Sequence, residues 1–141
     1  MYLDPTTEQE LFVETSRRFI ESSYPLAAVR ANGPDGGDSD YRSQAASLGW
    51  FAMLVPEELG GGSVSGNGVL DAALISEVRG RNLQPGAFVG TNVVAHILSA
   101  EGSDEQKAKV LPALVGGEEA ATWALTGSGP DGDPTAGVTA S

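Results

Sequence analysis

The chain has 141 residues, 40% hydrophobic and 6% aromatic, a length and composition that suit a folded domain with its own core. It contains no cysteine and one histidine, which excludes disulfide scaffolds, thiol nucleophiles, cysteine-based zinc sites and histidine-rich metal sites. The net charge of −11 repels a phosphate backbone and argues against a nucleic-acid partner.

The first helices are predicted from capping residues and from apolar spacing. Asp4 is placed to cap a helix that begins at Pro5. The apolar stripe of this helix is predicted to consist of Leu11, Phe12, Thr15 and Phe19. A short second helical turn follows over 26–31, and the glycine-rich and aspartate-rich segment 32–38 predicts a loop.

A third helix is predicted after this loop. Ser39 or Asp40 caps it, and Gly49 is placed to end it in a left-handed conformation. Residues 50–55 then form a short apolar connector, and 56–62 turn the chain again. The glycines that follow lack the Lys-Ser/Thr of a phosphate-binding loop, so they indicate a flexible turn.

Two largely buried helices are predicted next. The first ends near Gly80, and its apolar positions are Val69, Leu70, Ala73, Leu74 and Val78. The apolar positions of the second are Val89, Val93, Val94, Ile97 and Leu98. Because these cover two adjoining faces, the second helix is expected to be surrounded by other helices.

The last helix and a strand complete the predicted elements. Ser103 and Gln106 form a capping box, and the apolar face of the helix crosses a break forced by Pro112. The run 120–126 predicts a strand, whose backbone groups need a neighbouring strand. The tail 127–141 cannot supply one, so the neighbours are expected on sequence not present here or on another chain.

A series of short motifs, in order and spacing, resembles the N-terminal part of acyl-CoA dehydrogenases. The resemblance runs from Asp4 to about Thr126, and the segment 83–92 is most similar to actinobacterial members that act on steroid side chains or other bulky acyl-CoAs. The motifs are Leu48-Gly49-Trp50, Val55-Pro56-Glu57-Glu58-Leu59-Gly60-Gly61, Leu83-Gln84-Pro85-Gly86, Gly102-Ser103-Asp104-Glu105-Gln106-Lys107, Leu111-Pro112 and Ala124-Leu125-Thr126.

The resemblance implies a subunit with an N-terminal helical domain, a middle β domain and a C-terminal four-helix bundle, in tetramers that bind FAD. This chain would be mainly α: a helical bundle over 1–118, then the first strand of an incomplete β domain over 119–141. The family removes the α-proton of an acyl-CoA with a glutamate base while hydride leaves to the flavin. That glutamate lies in the C-terminal domain, so no catalytic residue is predicted here.

The resemblance also implies which residues meet the cofactor and the substrate. The cofactor-binding candidates are Trp123, Ala124, Leu125 and Thr126, although Gly127-Ser128 replaces the Glu-Pro that follows in the family. The residues implied to face the acyl group are Phe88, Val89, Asn92, Val93 and His96.

Plainer interpretations of the same residues remain open. Buried helices look alike whether or not a ligand is near, so the acyl-facing set is also explained as helix core. His96 is better explained as a hydrogen-bonded core or pocket-edge residue than as a general base. Arg79 and Arg81 could meet a pyrophosphate, and capping of helix-end carbonyls is their ordinary explanation.

Three functions are compatible with these features. The first is the N-terminal portion of an FAD-dependent acyl-CoA dehydrogenase, inactive alone; the second is a non-catalytic subunit that pairs with an intact dehydrogenase. The third is a helical interaction module.

No apolar run reaches the roughly 18 to 20 residues that span a bilayer, and no signal peptide is evident, which predicts a cytoplasmic protein. An acyl-CoA substrate and a homo- or hetero-oligomer are expected.

Overall fold

The computed structural model describes residues 4–32 and 39–123, and in these ranges the protein is helical. A 3-10 turn at Glu57–Leu59 accompanies the α-helices, and no strand occurs within the described ranges. The α-helices are α1 (Thr7–Ser23), α2 (Leu26–Asn32), α3 (Ser39–Ser47), α4 (Gly68–Arg81), α5 (Phe88–Glu101) and α6 (Asp104–Val115). The predicted mainly helical fold is confirmed, while the predicted loop 32–38 lies, after its first residue, outside the described residues.

Helix α1 begins later than predicted, because Thr6 and not Asp4 is its N-cap. The Thr6 hydroxyl accepts a hydrogen bond from the backbone N–H of Gln9 at 3.3 Å, and the Gln9 side chain accepts one from the backbone N–H of Thr6 at 2.9 Å. This reciprocal capping box satisfies two backbone donors at once, which an aspartate two residues earlier does not achieve.

The buried face of α1 is partly polar, which the apolar stripe did not reveal. Phe12 is buried as predicted, but the predicted Thr15 is exposed, and the other buried residues, Gln9, Ser16 and Ile20, were not part of the predicted stripe. Leu11 is 67% exposed, so its predicted place in the stripe is wrong. The inner polar side chains are tolerated because each of them makes a hydrogen bond inside the protein.

Trp50 is the centre of the main hydrophobic cluster and is fully buried. Its ring makes edge contacts with Phe19 and Phe88, at centroid distances of 5.6 and 6.2 Å. Its indole N–H donates to Ser16 Oγ at 3.0 Å. Gly49, which precedes it with a φ of +86°, provides the left-handed turn predicted at the end of α3 and directs Trp50 into the core.

A second, smaller cluster joins α5 to α6. It contains Val55, Ala95, Leu111 and Leu114. The capping box of Ser103 and Gln106 is present as predicted. The predicted break at Pro112 is wrong, since α6 continues to Val115; proline removes one backbone donor, and packing of the flanking leucines retains the helix.

Helix α4 also has a buried face that differs from its apolar pattern. The helix ends at Arg81, close to the predicted Gly80, and Val78 is buried as predicted, but Val69 is 73% exposed and Ala73 is exposed as well. Its buried residues are Asp71, Ile75, Val78 and Arg79. Asp71 and Arg79, near the two ends of this buried face, each make hydrogen bonds inside the protein. Because these two charged residues face inward, the buried side of the helix differs from the one that its apolar residues predict.

Asp71, on α4, forms hydrogen bonds with α1 and with the glycine-rich segment that precedes α4. Its side chain is fully buried and accepts hydrogen bonds from Gln9 Nε2 at 2.7 Å, Ser63 Oγ at 2.6 Å and Ser65 Oγ at 2.6 Å. Burial raises the pKa of this carboxyl, but the hydrogen bonds from the two serines and Gln9 outweigh burial, so the pKa lies below its ordinary value. One carboxylate therefore joins α1, α4 and the connection before α4.

The predicted strand over 120–126 is not found in its described part. Residues 120–123 carry no regular secondary structure, because no other strand exists within the described ranges to pair with them. The backbone N–H of Ala121 instead donates to Thr91 Oγ1 on α5 at 3.1 Å. Residues 124–126 lie outside the described residues.

Replacing Asp71 tests the buried carboxylate. We expect Asp71→Ala to lower the free energy of unfolding by about 3 kcal/mol, because one buried and two partly buried donors lose an ionised acceptor. The folded-state pKa is depressed, so the stabilisation is fully present above the ordinary value of 3.8 and is lost as the pH falls through the folded pKa. The stability difference between wild type and Asp71→Asn should therefore shrink below about pH 4.

Urea unfolding followed by circular dichroism, at a series of pH values, measures both effects. Glu10→Gln is the control, since Glu10 is an exposed carboxyl on α1. A pH-independent difference between wild type and Asp71→Asn would show that the carboxylate charge does not matter.

Candidate functional site

Two of the residues predicted to face a ligand belong to the core side of α5. Phe88 is 4% exposed, with its ring 6.1 Å from that of Phe51. Asn92 is 2% exposed, and its Nδ2 donates to the carbonyl oxygens of Trp50 at 2.9 Å and Phe88 at 3.0 Å. These two side chains pack the inner side of α5 against the core.

The other three predicted residues lie toward the outer side of the same helix. Val89 is 53% exposed, Val93 is half-buried and His96 is exposed. Ile97 continues this surface with 52% exposure. We call the surface made by Val89, Val93, His96 and Ile97 the outer face of α5.

The prediction that α5 is surrounded by other helices is therefore wrong for the described part of the chain. The inner side of the helix is made of small and polar residues, which are Thr91, Asn92, Ala95 and Ser99 together with Phe88. Small side chains permit close approach, and the polar ones form hydrogen bonds with the core. Val89 and Ile97 are consequently left on the outside, whereas Val94 packs against the second cluster.

A depression lies at each end of the outer face. The amino-terminal cleft has a volume of about 330 Å³, and its walls include Arg79, Phe88, Val89, Gly90 and Trp123. The carboxyl-terminal groove has a volume of about 430 Å³, and its walls include Leu54, Val69, His96, Ser99 and Ala100. Seven residues of helix, about 10 Å, separate Val89 from His96, so the outer face connects the two depressions.

His96 is positioned at the edge of the carboxyl-terminal groove. Its Nδ1 lies 3.0 Å from the carbonyl oxygen of Leu54. A carbonyl oxygen only accepts, so Nδ1 carries the proton of this hydrogen bond, and in the neutral ring Nε2 is the acceptor. The geometry agrees with the pocket-edge interpretation, and a contact between His96 and substrate stays a prediction.

The segment before residue 124 packs against α5 at Gly90. A Cβ at this position would lie 2.6 Å from the carbonyl oxygen of Ala121, so any larger residue would collide with backbone. Trp123 follows, 43% exposed, and lines the amino-terminal cleft with Val89. The other cofactor-binding candidates, Ala124, Leu125 and Thr126, lie outside the described residues.

Arg79 borders the amino-terminal cleft and is only 6% exposed. Its guanidinium lies 4.9 Å from the Trp50 ring centroid and 4.8 Å from that of Phe88, and its Nη2 donates to the carbonyl oxygen of Pro85 at 2.6 Å. Burial lowers the pKa of Arg79, and the neighbouring Tyr41 opposes this. The sequence contained the signal for its position, since Arg79 follows buried Ile75 by one helical turn.

Two features, a cluster of metal ligands and a membrane-spanning helix, are absent from the part of the chain that the structure describes. Among residues 4–32 and 39–123, no group of three or more acidic or histidine side chains could hold a metal ion. No helix of this part of the chain is both long enough and apolar enough to cross a membrane.

Replacing Gly90 tests the packing of the segment that carries Trp123. We expect Gly90→Ala to displace this segment and break the hydrogen bond between Ala121 and Thr91, because its Cβ would meet the Ala121 carbonyl oxygen. Acrylamide should then quench tryptophan emission more strongly, as Trp123 becomes freer.

The matched control is Gly80→Ala, also inside a helix, where an added Cβ meets nothing within 4 Å. This change should leave quenching unaltered and raise the free energy of unfolding by about 0.5–1 kcal/mol. Equal behaviour of the two variants would show that the Gly90 contact does not position Trp123.

A family model matches most of the chain. The model is described as "Acyl-CoA dehydrogenase, N-terminal domain", and it matches residues 6–118. A curated relative, isobutyryl-CoA dehydrogenase of Dictyostelium discoideum mitochondria, is 32% identical over 130 residues, which is 89% of this chain and 30% of the relative. The chain thus spans about a third of the length of such relatives.

Solved structures show the same fold. An acyl-CoA dehydrogenase of Bacillus anthracis, complexed with FAD, is similar with a TM-score of 0.68 and 31% identity over 93% of this chain and 23% of that one. A variant of the Tcur3481-Tcur3483 steroid ACAD is similar with a TM-score of 0.72 and 25% identity, over 89% of this chain and 38% of that one.

Proposed function

Because the chain belongs to the acyl-CoA dehydrogenase family, we propose that it forms the N-terminal helical portion of an FAD-dependent enzyme that dehydrogenates an acyl-CoA between its α and β carbons. The helical domain would extend over 1–118, and 119–141 would begin the middle β domain. The observation that carries the proposal is the outer face of α5, a largely apolar surface that stays exposed beside the core packed around Trp50.

The outer face of α5 has the character of a wall for an acyl chain. Val89 and Val93 present branched aliphatic groups, and His96 adds one polar group whose orientation Leu54 fixes. Ligand sites commonly combine an apolar lining with a few oriented polar groups. Phe88 and Asn92 would act indirectly, by holding the helix in place from the core side.

The acyl group is proposed to be bulky or derived from a steroid. The similarity to a solved structure named as a steroid ACAD supports this choice. The length of the outer face, with a depression at each end, also suits a ligand longer than a short acyl chain.

FAD is the proposed cofactor, and the described residues fit it in one respect. The half-exposed indole of Trp123 stands beside Val89 and Gly90 in a cleft whose walls include no acidic residue, which suits a planar aromatic and anionic group. Trp123, Ala124, Leu125 and Thr126 would hold the flavin. When bound, the flavin supplies the hydride acceptor, while the described residues orient the acyl chain and exclude water from it.

We also propose that the polypeptide of 141 residues is inactive by itself. The resemblance assigns the glutamate base to a C-terminal domain, and removal of the α-proton requires such a base in contact with the substrate. We expect no turnover of any acyl-CoA, tested with octanoyl-CoA and with a steroid-derived acyl-CoA, in the presence of added FAD and a flavin electron acceptor. Turnover above a control without protein would contradict this.

Binding of the acyl chain can be measured independently of turnover. We expect octanoyl-CoA to shift the backbone amide NMR signals of Val89, Val93 and Ile97, since the thioester tail would cover the outer face. Free CoA should leave these signals unchanged. Val93→Glu should weaken the binding by about tenfold or more, because a carboxylate would face the acyl chain.

Leu11→Glu is the matched control, a leucine on α1 that is 67% exposed and does not belong to the outer face. It should bind octanoyl-CoA as wild type does. Shifts that are equal for octanoyl-CoA and free CoA, or that lie on other helices, would overturn the assignment of the acyl wall.

A second candidate function is a non-catalytic subunit of a homo- or hetero-oligomer in the cytoplasm. The sequence favours it at one point, where Gly127-Ser128 replaces the Glu-Pro expected from the resemblance. Co-purification of an intact dehydrogenase with the tagged chain would favour this function, and flavin absorbance in the purified chain itself would favour the first.

A further inference from the structure

Arg79 carries a buried positive charge that lacks an acidic partner among residues 4–32 and 39–123. The ion pairs of this part of the chain join Arg17, Arg18 and Arg81 to glutamates at exposed positions, and none includes Arg79. Buried charges in proteins are normally paired, because burial removes their hydration. The charge of Arg79 is therefore available to an anion.

The guanidinium is held in one orientation before any ligand arrives. The rings of Trp50 and Phe88 lie within 5 Å of it, and Pro85 accepts from Nη2. The Tyr41 hydroxyl also hydrogen-bonds it, and that hydroxyl donates to Gln84 Oε1. Because these contacts fix the side chain, little conformational entropy remains to be lost on binding.

A small cavity lies beside Arg79, separate from the outer face of α5. Its volume is about 60 Å³. A cavity of this volume suits a small group of a few non-hydrogen atoms better than a nucleotide, a flavin ring or an acyl-CoA.

The walls of the cavity favour a carboxylate over a symmetric oxyanion. Ala45 and Phe51 contribute carbon surface to its walls. Arg42 also lines the cavity, but its Nε and Nη2 donate to the carbonyl oxygens of Gly117 and Glu118 at 2.6 and 2.9 Å. A phosphate or sulfate would press oxygens against the carbon walls, whereas a short carboxylate has an alkyl end for them.

We propose that this cavity binds a short alkyl carboxylate, with the carboxylate on Arg79 and the alkyl group against Ala45 and Phe51. The arginine fork matches the two oxygens of a carboxylate. The shared chemistry is CH₂–COO⁻, which a free short-chain acid or an acidic side chain of a protein segment can supply. The inference uses no residue of the outer face of α5, but it shares Arg79 and Phe88 with the amino-terminal cleft proposed for FAD; the titration below contains no flavin and no acyl-CoA, so its outcome is independent of the proposed function.

The test is an NMR titration of the chain with propionate at constant ionic strength, balanced with chloride. We expect a saturable shift of the Trp50 indole N–H, whose ring contacts Arg79, and no saturable shift with sulfate or inorganic phosphate. Arg79→Met should weaken propionate binding at least tenfold. Arg81→Met is the matched control, since Arg81 is exposed and paired with Glu77, and should bind as wild type does.

A second variant covers the case in which Arg79→Met does not fold. Ala45→Val retains the arginine and fills part of the cavity, and it should also abolish the saturable shift.

A titration with N-acetyl-aspartic acid N-methylamide identifies the source of the carboxylate. Saturation by propionate alone indicates a free acid, and saturation by the blocked aspartate alone indicates an acidic side chain of a protein segment. A non-saturable response of wild type to both compounds, or unchanged propionate affinity in a folded Arg79 or Ala45 variant, would overturn the proposal.

Discussion

The hydrogen bonds from Asn92 to the carbonyl oxygens of Trp50 and Phe88 set the orientation of α5, and much of the molecule's outer surface depends on that orientation. Asn92 must face inward to reach Trp50, so residues on the far side of the helix, such as Ile97, face outward. The helix then offers its small and polar residues to the core and its branched aliphatic residues to whatever lies outside. An apolar surface is obtained without any loss of core packing.

The same preference for satisfied polar groups recurs in the other buried helices. Gln9 and Asp71 join α1 to α4, and Ser16 receives the indole of Trp50. Each interaction fixes a rotation of a helix about its own axis more closely than apolar contact alone, because a hydrogen bond tolerates little change in direction. These fixed rotations also determine which side chains line the amino-terminal cleft and the carboxyl-terminal groove at the two ends of the outer face of α5.

The sequence predicted the existence of the helices well, and their faces less well. Local signals were sufficient for the Ser103 capping box, the left-handed Gly49 and the end of α4, since these depend on neighbouring residues alone. Apolar spacing misplaced Leu11, Val69 and Val89, because it counts hydrophobic residues and does not reveal a buried glutamine, aspartate or asparagine with a distant partner. The sequence marked Arg79 as a possible anion contact but did not predict its burial against Trp50 and Phe88, because these aromatic neighbours are distant in sequence.

The open apolar side of α5 has a consequence for how the molecule behaves at high concentration. Exposed aliphatic surface draws copies together, while eleven net negative charges push them apart. Near 0.15 M salt this repulsion reaches only about 8 Å, and it weakens further as salt is added. Colloidal stability is thus a balance between short-range adhesion and long-range charge, and crowded or saline surroundings shift that balance toward assembly.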